Sequence, residues 1–185
     1  MQINHLAAMF NHAVEQNATK EALGFVGEKA LSYREVSQKV NAVMAFLEQK
    51  GIEKGDKVGI LSLNQPNWGV AYFAIVSMGA VAVPILPDFS GSEIENVLNH
   101  AEAKALFVSE SLIRKLENAE LPMVQLRILI DNFSLIEAET TSEEALKQPS
   151  FIENTPVPLK NYPIDKDDLA SIIYTSGTTG KSKGV

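Results

Sequence analysis

Cysteine is absent from the 185 residues, which excludes disulfides, thiolate metal sites and a thiol nucleophile and fits a cytoplasmic chain. Basic charge is scarce: 16 Lys and Arg against 23 Asp and Glu leave a net −7. A nucleic-acid binder needs a broad basic face, so that class is excluded as well. The three histidines, His5, His12 and His100, are far apart and lack metal-ligand spacing, and they read as surface or core-edge residues. The single tryptophan, Trp68, is read as packing at a helix start. No uninterrupted apolar run is long enough to cross a membrane. The longest, Val70 to Leu86, is broken by Ser77, Gly79 and Pro84 and reads as a buried helix handing over to a strand. The amino terminus, MQINHLAAMFNHAVEQNATK, lacks the basic region and apolar core of a secretory signal. With 45% hydrophobic residues the chain can bury one sizeable core, and its length suggests a single domain or a little more.

Periodicity then sorts the chain into alternating elements. Leu6, Met9, Phe10, Ala13 and Val14 trace one helical face. Ala22–Val26 and Ala30–Leu31 flank Gly27-Glu-Lys29 as a short hairpin forming a small edge sheet. Ser32-Tyr-Arg-Glu35 fits a capping box, and the helix it opens keeps its apolar spacing until Gly51. Lys57–Leu63 reads as a strand, roughly 67–78 as a helix, and Ala82–Leu86 as a strand stopped by Pro87. A second capping box is read at Ser92–Glu95, opening a helix with the apolar face Ile94, Val97, Leu98 and Ala101. Strand Ala105–Val108, helix Ser111–Asn118 and strand Arg127–Ile130 complete residues 1–131 as an α/β unit. Such alternation implies a mostly parallel sheet with helices on both faces. Residues 132–168, acidic and carrying four prolines, read as a surface connector with a weak helix near Glu143–Lys147. Residues 169–185 form a strand, Leu169–Ile173, and the loop after it. Asp167 and Asp168, just before that strand, read as loop charges pointing to opposite faces.

That loop, Tyr174-Thr-Ser-Gly-Thr-Thr-Gly-Lys-Ser-Lys-Gly-Val185, concentrates hydroxyls, glycines and two lysines where the backbone must turn. Glycines let consecutive N–H groups converge on an anion, hydroxyls add hydrogen bonds, and ammonium groups offset charge, so ATP is the first candidate ligand. Gly180-Lys181-Ser182 also looks like the end of a Walker A loop. That motif needs glycine five residues before Gly180, where the chain has Thr175, and it must open a helix.

The run from Leu169 to Val185 resembles the phosphate loop of the adenylate-forming superfamily, Y-T-S-G-T-T-G-x-P-K-G-V, which includes acyl-CoA synthetases, adenylation domains and luciferases. Every fixed position matches except Ser182, which stands in the proline's place and implies a looser loop. Leu31-Ser-Tyr-Arg-Glu-Val36, Gly51–Ile60 and Gly79–Pro87 resemble further family stretches, extending the likeness from about Leu23 to Val185. The family's enzymes are considerably longer, so the resemblance implies roughly their first third, a fragment expected to be inactive alone, with the catalytic residues downstream.

The resemblance implies that a carboxylate attacks the α-phosphate of Mg·ATP, giving an acyl-adenylate and pyrophosphate, and that coenzyme A then displaces AMP. Thr175, Ser176, Gly177, Thr178, Thr179 and Gly180 would hold the β- and γ-phosphates, and Lys183 would help neutralise the departing pyrophosphate. Lys181 has a supporting electrostatic role at most. The general pattern leans toward a fatty acid as the carboxylate, in the cytoplasm or at the inner membrane face. The alternatives are an aryl or amino acid substrate, or a non-catalytic scaffold.

Overall fold

The strands alternate strictly between two faces, and that alternation organises the molecule. The computed structural model describes residues 3–137, 142–152, 161–175 and 183–184. Its main sheet comprises β3 (Lys57–Leu61), β4 (Val81–Ile85), β5 (Ala105–Val108), β6 (Leu126–Leu129) and β7 (Ser134–Leu135), in the spatial order β4-β3-β5-β6-β7. The first four are mutually parallel, and β7 joins β6 antiparallel. Val58, Ile60, Ala105, Phe107 and Ile128 face one core, whereas Leu61, Val83, Leu106 and Val108 face the other. The first core is covered by α1 (Leu6–Asn17), α2 (Tyr33–Gln49) and α3 (Pro66–Ser77). The second is covered by α4 (Gly91–His100) and the helical turns Glu110–Leu116. The expectation of a mostly parallel α/β sheet with helices on both faces therefore holds.

Local chemistry sets most of the boundaries. Ser32 and Glu35 form the reciprocal capping box expected at the start of α2, and Gly51, at φ +81°, takes the left-handed position just past its end. Pro66 occupies the first turn of α3, where its missing N–H costs nothing. Gly59 on β3 admits α4 closely, since a Cβ there would lie 2.7 Å from Leu98 Cδ2. The hairpin β1 (Glu21–Leu23) and β2 (Leu31–Ser32) forms a separate antiparallel pair, as read from the sequence. Among the described residues no helix is long and apolar enough to cross a membrane.

Four readings need correction. The second capping box is Ser90–Glu93, not Ser92–Glu95, because both serines have glutamate three residues on and only Ser90 has Phe89 before it to join the core beside Ile94. The segment read as helix Ser111–Asn118 is 3-10 helix over Glu110–Leu116. Met9 is 43% exposed, because α1 packs along the line Leu6, Phe10 and Val14, four residues apart, with Ala7 beside it. Segment 132–168 does not run wholly over the surface. Phe133, at φ +55°, is buried edge-on to Phe107, and Ser134 Oγ donates to the carbonyl of buried Ala145 at 2.8 Å. Ala145 belongs to α5 (Ser142–Lys147), close to the weak helix read there.

Leu98, fully buried between α4 and the sheet, and Val26, wholly exposed, mark the extremes of this packing. Leu98→Ala is expected to lower the unfolding free energy by about 2–5 kcal/mol and Val26→Ala by less than about 0.5 kcal/mol, measured by urea denaturation.

Candidate phosphate-binding site

The chain returns to the sheet through a turn at residues 165–168 that is fastened to the connection between α2 and β3. Lys54 donates through Nζ to the Pro163 carbonyl at 2.9 Å and pairs with Asp168 Oδ2 at 2.6 Å. The Lys54 hydrogen bond, followed by the Asp165 backbone N–H, holds the Asp168 carboxyl below its ordinary range. Asp168 is thus an anchor, whereas Asp167 remains an exposed turn residue paired with Lys166 at 3.4 Å. Among the described residues no group of three His, Cys, Asp or Glu side chains could hold a metal ion.

Beyond the turn the chain docks on the free edge of β4. The Ala82 N–H donates to the Ala170 carbonyl and the Ile172 N–H donates to the Ala82 carbonyl, both at 2.9 Å, which makes a parallel bridge between Ala82 and Ser171. Among the described residues Leu169–Ile173 thus pairs through this bridge alone, and the regular strand lies further on, at β8 (Tyr174–Thr175). Because the bridge is parallel, the chain leaves it on the side where β3, β4 and β5 end. Ligands of such sheets bind at those carboxyl ends. The strand order reverses at β3, so this exit lies at the β4 edge and not at the reversal point.

β8 pairs antiparallel with β9 (Lys183–Gly184), Tyr174 opposite Gly184 and Thr175 opposite Lys183. Tyr174 is 3% exposed, packs into the second core, and shares a 2.7 Å hydrogen bond between its hydroxyl and His100 Nδ1 at the end of α4. The two rings meet edge to face with centroids 5.7 Å apart. Burial pushes the Tyr174 phenol up, so its hydroxyl stays neutral. Gly184 lies against that ring: a Cβ there would stand 3.0 Å from both Tyr174 Cζ and Ile172 Cγ2.

Of the residues singled out in the sequence, Thr175 sits exposed at the end of β8, and Lys183 is brought opposite it by backbone pairing. Ser176, Gly177, Thr178, Thr179 and Gly180, together with Lys181 and Ser182, lie outside the described residues, as does the side chain of Lys183. His100 is exposed, as its reading as a surface or core-edge histidine implies; what the sequence reading missed is its hydrogen bond to Tyr174. No periodic signal links residues 74 apart. The available hint was a tyrosine closing an apolar run immediately before a polar loop. A separate crevice of about 280 Å³ among α1, α2, α3 and residues 161–164 is lined by neither Tyr174 nor Thr175.

The fold is a parallel α/β sheet covered on both faces, with a glycine- and hydroxyl-rich segment leaving its carboxyl edge, and it is that of the amino-terminal subdomain of adenylate-forming enzymes. The chain belongs to the AMP-binding enzyme family, which it matches over residues 10–185. It is 31% identical to the peroxisomal long chain acyl-CoA synthetase 6 of Arabidopsis thaliana, over 95% of this chain and 27% of that protein. It is 30% identical to the crotonobetaine/carnitine–CoA ligase of Proteus mirabilis (strain HI4320), over 98% of this chain and 36% of that one. Among solved structures, the anthranilate CoA ligase AuaEII in complex with anthranoyl-AMP superposes with a TM-score of 0.82 at 26% identity, covering all of this chain and 34% of that one. The chain thus spans about a third of the length of the relatives it matches.

Gly184→Ala is expected to force the β8–β9 pair apart and to lower stability by about 1–3 kcal/mol, the usual cost of overpacking. Thr175→Ala, on the exposed side of the same pair, leaves stability within about 0.5 kcal/mol of wild type; denaturant titration of both variants checks this.

Proposed function

We propose that this chain supplies the pyrophosphate-gripping end of an AMP-forming acid–thiol ligase, with a fatty acid as its carboxylate substrate. A carboxylate oxygen attacks the α-phosphorus of ATP and the bond to the bridging oxygen of the β-phosphate breaks. Pyrophosphate leaves and an acyl-adenylate remains. The thiol of coenzyme A then attacks the acyl carbon and AMP departs. The charge that grows on the leaving pyrophosphate is what a lysine and a ring of N–H and O–H donors can stabilise. Thr175, Ser176, Gly177, Thr178, Thr179 and Gly180 take the donor role, and Lys183 the cationic one. Mg2+ would enter with the nucleotide, as Mg·ATP. The lack of cysteine fits a cytoplasmic setting.

The observation that carries this reading is the sequence of residue types from Tyr174 to Val185, which follows a segment docked in parallel at the β4 edge. The fatty acid is favoured by the likeness to a long chain acyl-CoA synthetase. An aryl acid is the second reading, favoured by the superposition on an anthranilate CoA ligase.

Carboxylate-dependent ATP–pyrophosphate exchange by the full-length protein, over short to long fatty acids, aryl acids and amino acids, tests the proposal. Fatty acids are expected to drive exchange, and Lys183→Ala or Thr178→Ala to slow it by about 10²-fold or more while the protein stays folded. Exchange driven only by aryl or amino acids would sink the fatty-acid assignment. Folded protein that exchanges with no acid would sink the ligase itself.

A further inference from the structure

The Tyr174 hydroxyl is surplus to packing, because a phenylalanine would fill the same space between Ile172, Gly184 and the second core. A buried hydroxyl without a partner is costly, and His100 Nδ1, at 2.7 Å, is the partner it has. His100 sits on a helix that is itself well fixed. Its start is closed by the Ser90–Glu93 capping box, its middle is buried through Ile94, Val97 and Leu98, and next to His100 the Asn99 amide donates to the Glu120 carbonyl at 2.8 Å. On the other side of the hydrogen bond, Tyr174 is paired with Gly184, and its neighbour Thr175 with Lys183. The bond therefore joins a rigid helix end to the short ladder from which the loop residues extend.

We infer that His100 is a positioning residue for the phosphate loop: through the Tyr174 hydroxyl it fixes the ladder that sets Thr175 opposite Lys183. This rests on the ligase reading above. His100 does not touch the nucleotide; it removes freedom from the two strands that carry the groups meant to grip it, so that less ordering remains to be done on binding. The inference also distinguishes the ring nitrogens. Nδ1 makes the bond, and an asparagine amide reaches the same distance from the backbone as Nδ1, whereas a glutamine amide reaches one bond further.

The test uses the full-length protein with His100→Ala, His100→Asn, His100→Gln, Tyr174→Phe and the His100→Ala/Tyr174→Phe double variant. Two readouts are taken: the KM for ATP in pyrophosphate exchange, and amide hydrogen exchange of peptides covering Tyr174–Val185 and Gly91–His100. His100→Ala and Tyr174→Phe should each raise the ATP KM roughly three- to tenfold without changing the KM of the acid, and the double variant should be no worse than either single. His100→Asn should lie closer to wild type than His100→Gln. In His100→Ala and Tyr174→Phe the 174–185 peptide should exchange faster, and the α4 peptide at the wild-type rate. Wild-type ATP KM and amide exchange in both single variants would overturn the inference. So would multiplying effects in the double variant, glutamine rescuing as well as asparagine, or faster exchange throughout α4. Should the wild-type protein exchange pyrophosphate with no acid, the ligase reading falls, and the amide-exchange arm still decides whether His100 holds the ladder.

Discussion

Two backbone hydrogen bonds at Ala82 determine where the chemistry of this chain can sit. Without them β4 would be an open edge, with unpaired donors and acceptors facing solvent. The returning segment closes that edge at Ala170 and Ile172, and Ser171 Oγ adds a third bond to the Ala82 carbonyl at 2.9 Å. Direction and register follow together. Parallel pairing carries the chain out at the carboxyl ends of the strands, and the period of two turns Ile172 and Tyr174 inward while Ile173, 56% exposed, and Thr175 face out. A slip of one residue would exchange the two sets, putting Tyr174 in water and Ile173 in the core.

The surroundings of that edge are held by polar contacts that ask little of the core. Lys54 secures the approach at Pro163 and Asp168, Lys115 donates through Nζ to the carbonyls of Pro87 and Phe89 beyond the end of β4, and His100 meets Tyr174. Two of the three are lysines whose flexible stems reach backbone carbonyls in the connections between elements. The apolar layers beneath do not need them for their own packing. They fix the loops and segments that leave the sheet, which is where a site on a parallel sheet has to be built.

Much of this was legible in the sequence, where local rules decide. The capping box at Ser32, the stop at Gly51 and the four parallel strands each follow from a few neighbouring residues. Legibility failed where two local solutions compete or where partners are remote. Ser90 and Ser92 both offer a capping box, and only the placement of Phe89 beside Ile94 chooses between them. Phe133 adopts a left-handed backbone because its ring is gripped by Phe107 and by Phe151, which itself stacks on Phe46. That contact set spans more than a hundred residues, and no window of sequence contains it. For the candidate site, Thr175 and Lys183 were named from the order of the loop, whereas the Ala82 bridge and the His100–Tyr174 bond exist only once the sheet has formed.

The central claim is that the loop rising from β8 and β9 grips the terminal phosphates of ATP. A crystal structure of the full-length protein with a non-hydrolysable ATP analogue addresses it most directly. The account predicts the β- and γ-phosphates within hydrogen-bond reach of the N–H and hydroxyl groups of residues 175–180, with the Lys183 ammonium beside them, at the carboxyl edge of β4. Phosphates bound elsewhere on the sheet, with residues 175–183 making no contact to the nucleotide, would contradict it.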